Sequence, residues 1–188
     1  YFTEIYGNAS SKNHKHGNEA SKGVEIARKQ VATTINAKES EIIFTSGATE
    51  SINLATKGIA EYFKNKNPHF ITVATEHKAT LDCHEWLEKN GFEVTILSVD
   101  HEGFIDLGEL RKAIKENTKL ISVMTANNEI GTIQPITEIG KICRDAGCYF
   151  MTDATQAIGK MEIDVESMYI DLLAGSGHKI HGPKGIGF

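Results

Sequence analysis

Short apolar runs of strand type alternate with helix-period segments along most of this chain, and few folds accept such an alternation. Residues 70–74, 93–99, 120–124, 149–152 and 171–174 read as strands. Between or before them, helical spacing predicts helices over 18–37, about 46–63, 78–89, 106–116 and 137–146. In the first of these the apolar residues fall on one face at Ala20, Val24, Ala27, Val31 and Ile35. Asn90-Gly91 supplies a helix stop, and Asp106-Leu107-Gly108-Glu109 reads as a capping box. Strand after strand separated by a helix specifies an α/β fold, a mostly parallel sheet with helices on both faces. A further short strand is expected at 41–45, residues 1–17 read as loop, and Ile186-Gly187-Phe188 reads as the opening of another strand. No repeat, low-complexity segment or linker interrupts the pattern, so residues 1–188 are expected to form one domain.

Composition limits what such a domain can do. The net charge is −5 with no basic tract, which argues against nucleic acid as the main partner. No apolar run approaches a membrane span, so no membrane association is expected. Cys83, Cys143 and Cys148 are odd in number and include no CxxC pair; this fits a reducing compartment, the cytoplasm or an organelle matrix. No metal site is expected: His14-Lys15-His16 lacks a full ligand set and reads as solvated loop. The chain starts at Tyr1 and stops in a strand-like run, so it reads as a piece of a longer protein, truncated at both ends.

The polar signals cluster just beyond strand ends: Thr45-Ser46-Gly47-Ala48-Thr49, Glu76-His77, Asn127-Asn128, Asp153-Ala154-Thr155-Gln156 and Ser176-Gly177-His178-Lys179. In open α/β sheets ligands bind at that edge, so these clusters should converge on one crevice. A strand–Gly turn–helix start offers free N–H groups and a helix dipole to a phosphate, although Ser46 or Thr49 could equally be a plain N-cap. It is not a Walker A loop. His77 could stack on a flat ring or move protons, or be a polar loop residue; Asn127-Asn128 could bind a ligand or form a turn. Asp153 ends a buried strand, where a carboxylate needs a cationic partner or serves as a helix cap. Lys179 sits in a tight loop before a Gly-Pro turn, the setting of a Schiff-base lysine, or else of a surface lysine. Together these groups offer a phosphate cradle, a stacking ring, a carboxylate for a ring nitrogen and an amine for an aldehyde. Pyridoxal 5′-phosphate (PLP) is the cofactor that asks for all four.

The motifs Ser46-Gly47-Ala48-Thr49-Glu50-Ser51, Thr75-Glu76-His77-Lys78-Ala79, Asn127-Asn128-Glu129-Ile130-Gly131, Asp153-Ala154-Thr155-Gln156 and Ser176-Gly177-His178-Lys179-Ile180-His181-Gly182-Pro183-Lys184-Gly185 resemble those of cysteine desulfurases of the iron–sulfur-cluster-assembly type, in the class V aminotransferase group. The resemblance runs over essentially the whole chain. It implies the large PLP-binding domain of fold type I, present in part, with the small C-terminal domain absent. It implies that Lys179 holds PLP, that His77 stacks on the ring and assists proton transfer, and that Asp153 pairs with the pyridine nitrogen. It also implies that Gln156 bonds the ring hydroxyl beside Asn128, and that Ala48, Thr49, Ser176 and His178, with Gly177 between them, bind the phosphate.

The reaction so implied converts L-cysteine to L-alanine and leaves the sulfur on a cysteine as a persulfide. A sulfur-acceptor or scaffold protein of iron–sulfur assembly is the implied partner, and a homodimer the implied assembly. Two other functions stay open: a selenocysteine lyase or another class V enzyme, and a cofactor- or partner-binding fragment without turnover. The family's persulfide cysteine and carboxylate-binding arginine belong downstream of Lys179, in a stretch not included here. Cys83, Cys143 and Cys148 do not occupy that position, so the piece alone is expected to be inactive. The chain also departs from the family at Ala9, where proline is common, and at Thr125-Ala126, where His-Val is usual.

Overall fold

The computed structural model describes residues 3–188. By their contacts these fall into two compact units, one running to Ile43 and the other covering Phe44–Phe188.

The first unit is built on helix α1, Lys15–Thr34. It starts three residues before the expected 18 because His14 is its N-cap, its Nδ1 accepting from Gly17 N at 3.0 Å. The preceding loop lies so close that a Cβ on Gly17 would meet Ser11 O at 1.8 Å. The helix stops before the expected 37 because Asn36 turns left-handed at φ 54°. Arg28 donates to the carbonyl of Ile42 within this unit. The strand expected at 41–45 does not form. Glu39–Glu41 is instead a 3-10 turn, closed by Lys38 N on Glu41 Oε2 at 2.8 Å. Ile43 is 62% exposed, and Thr45 alone of this stretch makes a bridge, with Gly187. A strand without a neighbouring ladder has nothing to hold it.

The second unit carries helix α2 (Ala48–Phe63), strand β1 (His69–Val73), α3 (Lys78–Lys89), β2 (Glu93–Leu97), α4 (Leu107–Ala113), β3 (Thr118–Ser122), α5 (Ile136–Ala146), β4 (Tyr149–Asp153) and β5 (Leu172–Ala174). The five strands form one sheet in the order β2-β1-β3-β4-β5, and every pairing is parallel. The steps β1–α3–β2 and β3–α5–β4 run toward opposite edges. Right-handed crossovers then put α3 and α5 on opposite faces of the sheet. One face carries a hydrophobic core in which Phe70, Leu120, Met151 and Ala174 from the strands pack on Ile52 and Ala60 of α2 and on Cys83 and Leu87 of α3. Strands covered on both faces explain why β1, buried at every position, reads as a continuous apolar run.

Helix α4 differs from expectation at both of its ends. Asp106 caps α4 by accepting from Gly108 N and Glu109 N at 2.6 and 3.0 Å, but Glu109 turns outward to Lys112, so only one half of the capping box forms. The helix also ends at Ala113, short of the expected 116, with Ile114 already extended. The thiols of Cys83, Cys143 and Cys148 are free and buried.

Candidate active site

Because the strands are parallel, the residues following β1, β3, β4 and β5 all emerge at one edge of the sheet. There, Ser46, Gly47, Ala48, Thr49, His77, Asp153, Thr155, Ser176, His178, Lys179 and Lys184 line a cavity of about 420 Å³. Its floor is Ile52, from the first turns of α2.

The start of α2 is open. Its cap residue is Gly47, in extended backbone and with no side-chain capping bond. Ser46 is occupied elsewhere: its N–H and its hydroxyl both donate to Glu50 Oε2, at 2.6 and 2.7 Å, which holds the Glu50 carboxyl below the usual carboxylate range. Thr49 is exposed and does not cap either. The plain N-cap reading of Ser46 or Thr49 is therefore set aside. The first N–H groups of the helix, with its positive dipole end, face an anion-sized space.

His77 is the N-cap of α3, and its Nδ1 accepts from Ala79 N at 3.1 Å. An accepting Nδ1 fixes the neutral tautomer with the proton on Nε2, and the capping bond fixes the ring's orientation at the cavity wall. Asp153, 7% exposed at the end of β4, accepts from Thr155 N on Oδ1 at 2.9 Å. Thr155 Oγ1 is buried with no hydrogen-bond partner, a donor left free beside the carboxyl.

Lys179 lies in the 3-10 turn Gly177–Ile180 that follows β5. The turn is tied by Lys179 N on Ser176 O at 3.1 Å and by Gly182 N on Gly177 O at 2.8 Å. Ser176 Oγ and His178 Nδ1 are 2.8 Å apart, so the two side chains flanking Gly177 are set as a pair. The short run Ile186-Gly187-Phe188 does form strand-like pairings, and they join two walls of the cavity. Gly187 exchanges both backbone bonds with Thr45 at 2.9 Å; Phe188 exchanges both with Gly175, and Gly177 N reaches Ile186 O. The approach is close enough that a Cβ on Gly187 would meet the Gly47 backbone at 2.5 Å.

Of the residues expected at the site, Ala48, Thr49, His77, Asp153, Ser176, His178 and Lys179 line the cavity, and Gly177 is buried within the lysine turn. Two expected residues do not line it. Asn128 is exposed on the loop after β3, and Gln156 Oε1 accepts from Lys160 Nζ at 2.9 Å. Sequence reasoning gave no role to Lys184, Thr155 or the 186–188 strip. Lys184 had a signal, a second lysine in the same glycine-rich loop as the first. Glu76 was noted only as a polar strand-end residue. It is 7% exposed, accepts from Met124 N at the end of β3, and is pushed up to about 8 by burial and by the nearby Asp153 charge.

The arrangement can hold a doubly charged anion at one end, between the α2 start and the Ser176–His178 pair. It also offers the Asp153 carboxylate to a cationic group and the primary amine of Lys179. Comparisons with known proteins point the same way. The family model described as aminotransferase class-V matches residues 1–188. The chain is 57% identical over 187 residues to the cysteine desulfurase IscS of Neisseria meningitidis serogroup C / serotype 2a, and 54% identical to the mitochondrial cysteine desulfurase of Candida albicans. All of this chain is covered in both, but only 46% and 38% of those proteins, so the chain spans less than half the length of the curated relatives it matches. Among solved structures, one titled SspA in complex with cysteine superposes with a TM-score of 0.95 at 43% identity, covering 98% of this chain and 53% of that one. With the parallel sheet, the strand-end lysine and a match from one end to the other in agreement, this chain belongs to the aminotransferase class-V family.

Proposed function

We propose that this chain is the cofactor-binding portion of a PLP-dependent cysteine desulfurase, which takes sulfur from L-cysteine, leaves L-alanine and passes the sulfur as a protein persulfide toward iron–sulfur cluster assembly. The observation that carries the reading is the convergence of Lys179, Asp153 and the open start of α2 on one cavity of about 420 Å³. The donor set fits PLP. An anion cradle, a buried carboxylate, a primary amine and the unpartnered buried hydroxyl of Thr155 meet where the cofactor's phosphate, ring nitrogen, aldehyde and ring oxygen need partners.

When bound, PLP supplies an electron sink for bond breaking at the amino-acid Cα. The chain's own residues do the rest. The N–H groups of Ala48 and Thr49, the Ser176 and His178 side chains and the ammonium of Lys184 anchor the phosphate. Asp153 would pair with the ring nitrogen and favour its protonated form, since a carboxylate 7% exposed favours a cation beside it. The His77 ring covers one face and, with Nδ1 occupied by Ala79 N, presents Nε2 for proton exchange. Lys179 would hold the cofactor through its primary amine and would serve as the base that moves a proton at the substrate Cα. Asn128 and Gln156 join the set by turning inward from their present positions. A homodimer and a sulfur-acceptor protein complete the reading, in the cytoplasm or an organelle matrix. L-cysteine is favoured as substrate because a related structure is titled as a complex with cysteine.

Borohydride reduction of the PLP-treated chain, followed by peptide mapping, tests the assignment. The expected result is label on Lys179 alone, absent in Lys179→Ala. Label spread evenly over surface lysines of the folded chain would sink it.

A further inference from the structure

Glu76 is the one buried carboxyl beside the cavity that the reading above leaves without a role. It is not in the cavity lining, and it immediately precedes His77. The turn that holds it, between β1 and α3, is fastened to the end of β3 at two points. Asn127 Nδ2 donates to Thr75 O at 2.8 Å, and Met124 N donates to Glu76 Oε1. The next residue of β3's extension, Thr125, donates its N–H to Asp153 O at 3.0 Å. One short network therefore ties the His77 turn, the β3 end and Asp153 together.

Resting on the PLP reading, we propose that Glu76 is a positioning residue of this site: its carboxyl clamps the turn that presents His77 onto the end of β3, behind the cavity wall that Asp153 forms.

Two carboxylates that share a water-poor site do not both ionise at modest pH. The structure distinguishes them. Asp153 faces the cavity and accepts the Thr155 N–H on Oδ1. Glu76 faces protein. Its electrostatic neighbours are Asp153 from β4, the Met124 N–H from the β3 end and Thr80 from α3. The Thr80 hydroxyl lies near enough to favour the Glu76 anion slightly, yet it stops short of a regular hydrogen bond. Burial is the largest influence and Asp153 adds to it, so Glu76 keeps its proton until about pH 8. A neutral carboxyl still accepts from Met124 N, so the clamp holds without a second charge competing beside Asp153.

The test has two arms, and the first needs no cofactor. Urea unfolding of wild type, Glu76→Gln and Asp153→Asn is followed from about pH 5 to 9. A carboxyl raised from 4.5 to about 8 favours the folded state only at low pH, and that advantage is lost progressively as pH rises between the two values. The unfolding constant of wild type relative to Glu76→Gln is expected to rise on the order of a hundredfold between about pH 5 and 8. Asp153→Asn should reduce that rise by removing the facing charge. In the second arm, PLP release is timed at pH 7 by its visible absorbance. Glu76→Ala should release PLP at least about tenfold faster than wild type, and Glu76→Gln should recover most of the loss, because the amide oxygen replaces the acceptor. Parallel wild-type and Glu76→Gln stability curves would overturn a clamp whose carboxyl keeps its proton in the folded state. Equal loss of PLP from Gln and Ala variants would overturn the neutral clamp. Failure of wild type to take up PLP would remove the cofactor reading, while the unfolding arm would still decide the state of the Glu76 carboxyl in the clamp.

Discussion

His77 has two jobs that its surroundings separate: Nδ1 caps α3, and the rest of the ring faces the cavity. His77→Ala is expected to lower stability by about 1 kcal/mol, the usual cost of a lost N-cap, and to weaken PLP binding. His77→Asn should restore the stability, since asparagine caps well, without restoring PLP affinity; urea unfolding and cofactor titration of the three proteins read the two effects apart. If Asn recovers both, the ring does nothing beyond capping. Single residues also show what the chain's letters reveal. Asp153 and Lys179 were legible because each follows a strongly apolar strand, and a parallel sheet sends all such positions to one edge. Glu76 was not, because its neighbour His77 has the same polar character and only the packing of β3 beside β1 decides which of the two turns inward. Lys184 and Thr155 stood in legible clusters, but the direction of their side chains was not legible: a Gly-Pro loop and a post-strand turn fix no side-chain direction until the fold closes around them.

At the scale of elements, periodicity located five helices and the five paired strands, since a strand buried on both faces and an amphipathic helix have different repeats. It misplaced a strand at 41–45, because strand propensity lies in the residues but a strand exists only with a neighbour. The neighbour of Thr45 is Gly187, far along the chain, and it reaches only one residue. The strip 186–188 behaves as a clasp between the open start of α2 and the lysine turn. Gly187→Ala is expected to force these apart, since its methyl would meet backbone atoms of Gly47 rather than a yielding side chain. Both a lower melting temperature and weaker PLP binding should follow, each measurable on the purified variant. An unchanged PLP affinity would mean that the clasp and the phosphate cradle are mechanically independent.

For the whole molecule, the sheet assigns the two ends of its strands different work. The carboxyl edge gathers the titratable and hydrogen-bonding groups of the cavity, while the thiols are withdrawn from it. Cys83, on the inner face of α3, lies in the core with residues of α2, where burial pushes its thiol up, and Cys143 and Cys148 are buried where α5 runs into β4. No cysteine lines the cavity among the described residues. A PLP-loaded preparation of these 188 residues is therefore expected to bind L-cysteine without sustained sulfide release. Multiple turnovers that vanish in Lys179→Ala would refute this and would show that no protein thiol is needed. Burial of all the thiols was open from sequence alone, where helix-end cysteines suit core and surface equally.

The pairing of Thr45 with Gly187 also sets an order of events in the cell. A ribosome delivers Thr45 long before Gly187, and a contact between such distant positions closes late because the intervening chain must first be confined. A nascent chain can thus wind its helices and pair much of its sheet while the anion loop still lacks one wall. The cavity is therefore finished only after Lys179 has already been made, so early capture of a ligand in a half-built site is discouraged by topology alone.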